Sequence, residues 1–278
     1  MPGRCGKTVI LLIAILLIPA CAARLPEPVT LPRPDLRPAS HIDQIYGYPA
    51  AAAAIAAVLE RELGVPPFPV TFHFYRNVAA FEAALLELGH DRSTARQTAT
   101  VMRGIGTARR VLLNTQALDP ISWQDRVRVL AHELVHSLQY ELAGGRRGAS
   151  EQWLREGFAE WVALMILDRL RGRPLSELRD QQLQVFRSSD RSRAPRLDGM
   201  VSFQQWIAIV NRRDIAPYSQ AFLAVDFLVE RHTAPAIVEY FRQFASTRDR
   251  TAAFRTAFGE DRAAFETALD ARLRITRR

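Results

Sequence analysis

Hydrophobic and polar positions change rhythm several times along this chain, and each change predicts an element. A run of ten apolar residues, VILLIAILLI, comes first. An Ala-rich helix is expected over about Pro49 to Leu63, ended by Gly64 and the Val65-Pro66-Pro67 break. PVTFHFY (69–75) reads as a strand from its β-branched and aromatic content. NVAAFEAALLELG reads as a helix with Gly89 just past its end, and ARRVLLNT (108–115) as a second strand. Beyond residue 145 the pattern is helical throughout, over 151–171, 175–187, 202–210, 218–231, 235–245 and 260–274, with SSDRSRAPRLDG (188–199) the longest polar interruption. The expected class is α+β: a small N-terminal β-sheet with helices, then an all-α C-terminal half.

Between the Asp119-Pro120 break and Gly144-Gly145 lies one more helix, with Ser122 as its cap and Asp125 in its first turn. Val127, Leu130, Ala131, Leu134 and Leu138 form an apolar stripe. His132 and His136, four apart, share the nearly opposite face, with Glu133 beside them. This HELVH is an instance of H-E-x-x-H: two imidazoles at i and i+4 converge on one ion, and the adjacent glutamate can take a proton from water. A plain surface pair of histidines is the alternative. His73, His90 and His232 are ungrouped and read as ordinary strand or surface residues.

WLREGFAEWVALMIL (153–167) carries only Arg155, Glu156 and Glu160 as charged residues. A helix apolar nearly all round is buried, and a buried carboxylate needs a partner. Nineteen residues separate His136 from Glu156, enough for the first helix to end, turn and return. Glu156 can then face both histidines as a third ligand. Glu160, one turn on, can accept a hydrogen bond from a ligating imidazole; Glu160 as the ligand itself stays open. Gly157 is expected to let the two helices approach closely.

HELVH followed by WLREGFAEW resembles the gluzincins, zinc metallopeptidases with two histidines and a glutamate, and most of all their thermolysin-type and peptidase-MA-like members. The resemblance is strong over about 120–165 and extends in organisation over 70–245. It implies a zincin-like helix pair, Zn2+ held by His132, His136 and Glu156, and Glu133 as general base. It also implies that the strand at 108–115 is the sheet edge along which substrate lies. Tyr218 is a candidate for steadying the oxyanion, with a core or capping role as the alternative. The metzincin pattern fails, because its glycine and third histidine fall at Gln139 and Leu142.

Composition then sets the compartment. Arg4 and Lys7 precede the apolar run and small residues follow it, so 1–20 reads as a signal peptide. Ile18-Pro19-Ala20-Cys21 resembles a bacterial lipobox with Cys21 lipidated. Ala22 after it favours the outer membrane by that resemblance, and cleavage to a soluble periplasmic or secreted form is the alternative. Residues 21–40 are expected to be a Pro-rich tether, 41–145 the α+β part with the HExxH helix, and 146–278 the helical part with the third ligand. Only Cys5 and Cys21 are present, which excludes a cysteine metal site in the mature chain. The net charge is +8; without Arg4 and Lys7 the 37 basic residues become 35 against 29 acidic, a net +6. Those basic residues are scattered and accompany no nucleic-acid module, so no nucleic-acid partner is expected. The expected function is an envelope zinc metallopeptidase acting on a peptide or protein. A zinc amidase or peptidase of cell-wall peptides and a non-catalytic zinc-binding lipoprotein are the alternatives.

Overall fold

Strand β2 (Val70–Tyr75) alternates buried and half-buried positions, the signature of a strand with one face on a core. The computed structural model that contains it describes residues 25–275; the segment expected to be a signal peptide and Cys21, expected to be lipidated, lie outside the described residues. The structure is mixed α+β, with one four-stranded sheet near the N-terminus and a mostly helical C-terminal half.

The sheet has the order β1-β2-β4-β3. β1 (Val29–Leu31) pairs antiparallel with β2, β2 pairs parallel with β4 (Arg110–Asn114), and β3 (Gly104–Thr107) pairs antiparallel with β4. Two expectations are corrected here. The described part of the Pro-rich segment, residues 25–40, is no free spacer: Val29 and Leu31 are buried and its strand closes one sheet edge. The strand at 108–115 is internal; the opposite edge is β3, a GIGT segment whose two glycines hide it from any strand pattern.

In the first half, helix α1 (Gly47–Leu63) ends at Gly64 in the left-handed region, as Gly64 and the Val65-Pro66-Pro67 break predict. α2 (Val78–Glu87) is capped by Asn77, α3 (Arg92–Val101) by Asp91, and a short α4 (Thr115–Leu118) follows β4. α3 escaped the sequence pattern because it packs through Ala95, Thr98 and Ala99, which leave no apolar stripe. α5 (Trp123–Leu142) starts where predicted: Ser122 Oγ accepts from Asp125 N at 3.1 Å, a cap of about 1 kcal/mol. Its chain turns away through Gly144 and Gly145, both at positive φ.

The second half contains α6 (Gln152–Arg169), α7 (Leu175–Ser188), α8 (Phe203–Val210), α9 (Pro217–His232), α10 (Ala234–Gln243), α11 (Arg250–Phe258) and α12 (Arg262–Leu273). α6 is the centre: every residue from Gln152 to Leu167 is buried, and its largest interfaces are with α9 and α5. The role expected of Gly157 is corrected in its partner. A Cβ there would fall on the Ala221 carbonyl and lie 2.8 Å from Val225 Cγ2, so the missing side chain admits α9, not α5. No helix of the described residues is long and apolar enough to cross a membrane.

Candidate metal centre

α5 and α6 bring three side-chain atoms together. His132 Nε2 and His136 Nε2 are 3.1 Å apart, and Glu156 Oε2 lies 3.4 Å from the first and 3.5 Å from the second. Two ligands at ~2.1 Å from one ion, set at the tetrahedral angle, lie about 3.4 Å apart. The triangle therefore has the dimensions of one face of a zinc tetrahedron. Among the described residues, this is the one group of histidine, cysteine and acidic side chains arranged to hold a metal.

The other polar atom of each of these three groups is already held. His132 Nδ1 is 3.3 Å from Glu160 Oε2, and a carboxylate only accepts, so Nδ1 donates. His136 Nδ1 is 3.0 Å from Gln139 Oε1, while Gln139 Nε2 donates to the Arg155 carbonyl at 2.9 Å. That second bond fixes the amide, so His136 Nδ1 is again the donor. Gln152 Nε2 donates to Glu156 Oε1 at 2.6 Å. Each group thus turns one unspent atom to a common point. Outer partners of this kind fix tautomer and orientation in metal sites.

Glu160 is held in turn. Arg128 Nη1 donates to its Oε1 at 2.6 Å and Gln182 Nε2 at 3.4 Å. Burial opposes its charge, but Arg128 and the His132 hydrogen bond outweigh it and hold the carboxyl below the usual range. Burial likewise opposes charge on His132 and Glu156. For His132, its hydrogen bonds to Glu156 and Glu160 prevail and raise the imidazole to about 10; for Glu156, the two histidines prevail and lower it. A cation is favoured at the centre of this cluster, and the donor set of two imidazoles and a carboxylate suits Zn2+.

Glu133 sits on the same cleft, its Oε2 accepting from Gly106 N of β3 at 2.8 Å. Burial raises its pKa, against the pull of His132 and His136. This contact explains the glycines of β3. A Cβ on Gly104 would lie 2.8 Å from Glu133 Cγ, and one on Gly106 would strike the Glu133 carbonyl and come within 2.7 Å of His136 Cβ. Only a bare backbone lets the edge strand lie this close to α5.

Tyr218, in the first turn of α9, also lines the cleft. Its ring is edge-on to Trp206 at 4.9 Å, and its hydroxyl donates to Met102 Sδ at 3.8 Å. Burial and the nearby Glu156 charge raise it well above an ordinary phenol, so it remains a donor. The structure gathers His132, Glu133, His136, Glu156 and Tyr218 around one cleft, with Glu160 behind His132. His73 stands on β2 and His232 pairs with Glu260 at 2.8 Å, both away from it. His90, expected to be an isolated surface residue, lines the cleft, as do Arg147 and Arg155.

Sequence reasoning missed Gln139, Gln152, Arg128 and β3. The two glutamines carried a readable signal: Gln139 is three residues beyond His136 and Gln152 four before Glu156, each one turn from a member of the triangle on its own helix. No protein-family model, no curated protein and no solved structure matches this chain.

Proposed function

We propose that this chain is a zinc metallopeptidase of gluzincin type, exported to the cell envelope and anchored there through a lipidated Cys21. One observation carries the reading: three nitrogen and oxygen atoms form a triangle of 3.1, 3.4 and 3.5 Å, each backed by a hydrogen bond to its group's other atom. A structural site would have no use for Glu133 on the same cleft.

His132, His136 and Glu156 hold the ion in this reading. Zn2+ so bound would supply Lewis acidity toward a carbonyl oxygen and toward water. The chain's own groups do the rest. Glu133 takes a proton from water at its carboxylate and delivers it to the departing amine nitrogen. Its raised pKa makes the carboxylate a stronger base toward the water proton. The Tyr218 hydroxyl donates to the oxygen on which charge develops. β3, the edge strand beside the centre, offers its remaining backbone groups to an extended peptide.

The test is metal content and hydrolysis measured together on the domain from residue 25 onward. Wild type should hold about one zinc per chain and cleave an unfolded protein. Glu133→Gln should keep the zinc and lose about 10²–10⁴ in rate. A wild-type domain that takes up no zinc ends this reading.

A further inference from the structure

The cleft does not stop at the metal centre. Beyond His90, Thr98, Arg147, Gln152 and Phe203, which line both spaces, it opens into a polar trough between α3 and α8. Arg147 stands at the junction. Its Nη2 donates to Gln152 Oε1 at 2.6 Å and its guanidinium carbon lies 5.1 Å over the Phe203 ring. The amide and the ring fix the group's plane, and one of five N–H donors is spent.

Arg155 lies directly behind it. This guanidinium is buried, donates to the Arg147 carbonyl at 2.9 Å and to Ser150 Oγ at 3.4 Å, and packs 5.5 Å from the Tyr140 ring. Among the described residues neither arginine makes an ion pair with a carboxylate. Arg250 adds a third positive group to the trough wall, with its Nε on the Ala149 carbonyl. The one acid on that wall, Asp91, is spent on capping α3, accepting from Thr94 N at 3.0 Å and Thr94 Oγ1 at 2.6 Å. Buried charge is normally paired. Here a buried and an exposed arginine stand together beside a cleft, neither paired with a carboxylate, and Glu156, whose charge reaches Arg155, is already held by Gln152 and the two imidazoles.

We propose that this wall is an anionic subsite: the enzyme takes peptides carrying a free carboxylate near the scissile bond, gripped by the Arg147 guanidinium with Arg155 behind it. The inference rests on the metallopeptidase reading above. The carboxylate has two sources, an acidic side chain or a chain terminus, and both present the planar two-oxygen face that a guanidinium matches. Gln152 makes the subsite more than an anchor. It accepts from Arg147 and donates to Glu156 Oε1, so a carboxylate on Arg147 bears on the orientation of the metal's acidic ligand.

The experiment uses the zinc-loaded protein and three forms of one short peptide hydroxamate, the hydroxamate being a zinc chelator. The first has a free C-terminal carboxylate and neutral side chains, the second a C-terminal amide and one glutamate, the third a C-terminal amide and glutamine. At least one carboxylate probe should bind tenfold or more tighter than the glutamine amide, and the tighter of the two names the source. Arg147→Ala should bring that ratio to about one, and Arg147→Lys should keep part of it; retained zinc in both variants shows that the fold is intact. Equal binding of all three probes to zinc-loaded wild type, or a ratio unchanged in Arg147→Ala, overturns the subsite and leaves the metallopeptidase standing. Failure to hold zinc removes both.

Discussion

Two buried acids on the same stretch of chain meet opposite fates. Glu151, the residue before α6, is 1% exposed and lies under the Tyr240 hydroxyl, with Arg262 Nη1 at 3.5 Å. Glu156, one turn into the helix, meets two imidazoles at the wall of a cleft. Burial pushes both pKa values up. At Glu151 burial wins over Arg262 and Arg250, and the acid is raised; at Glu156 the histidines win, and it is lowered. Burial of a carboxylate therefore does not mark a site by itself. What separates the two is the partner: Glu151 is closed in by the Tyr240 hydroxyl and Arg262, whereas Glu156 keeps an oxygen on the cleft beside two imidazoles.

The largest effect expected of this contrast is on metal binding. Glu156→Ala removes one of the three proposed ligands and should weaken zinc at least 100-fold in a competition titration with a chelator. Undiminished affinity would show that the cluster is no ligand set. Glu160→Gln should follow with about a 10–100-fold loss, because it frees the His132 ring from its orienting acid. Glu151→Ala should leave zinc affinity alone and instead cost about 1–3 kcal/mol in chemical denaturation, since it strands the Tyr240 hydroxyl and one Arg262 donor. If Glu151→Ala releases zinc, the two acids belong to one unit and the contrast fails.

The acids should also differ in their response to pH. A pKa raised on folding means that Glu151 stabilises the fold when protonated: the contribution is full below its unfolded value of 4.5 and fades as pH rises through the folded value. The penalty of Glu151→Ala should therefore shrink between pH 4.5 and pH 8. The smallest effect sharpens the other side. With His132 raised to about 10, an ion taking its Nε2 displaces a proton there, so zinc uptake at pH 7 in weak buffer should release a proton measurable with an indicator dye.

What could be read in advance divides along physical lines. α5 and α6 were legible because each carries a strong local code: a capped amphipathic helix with HELVH, and an apolar helix whose two acids demanded partners. β1 was hidden by the prolines around it, and β3 by its glycines. Those glycines are what the centre needs, since any side chain at 104 or 106 collides with Glu133. The strand with the weakest strand signal is the one that packs against Glu133 and His136. Arg128 and Gln182 were beyond reach for another reason: they meet Glu160 from separate helices, and no local spacing encodes that.

The bare backbone at position 157 has one more effect. Ala221, the residue it lets in, lies one turn beyond Tyr218 on α9. A single methyl group at 157 would act as a wedge, prising α9 outward and lifting the Tyr218 phenol from the cleft without touching either imidazole. How deep that hydroxyl reaches is thus set by an atom the chain omits on the neighbouring helix.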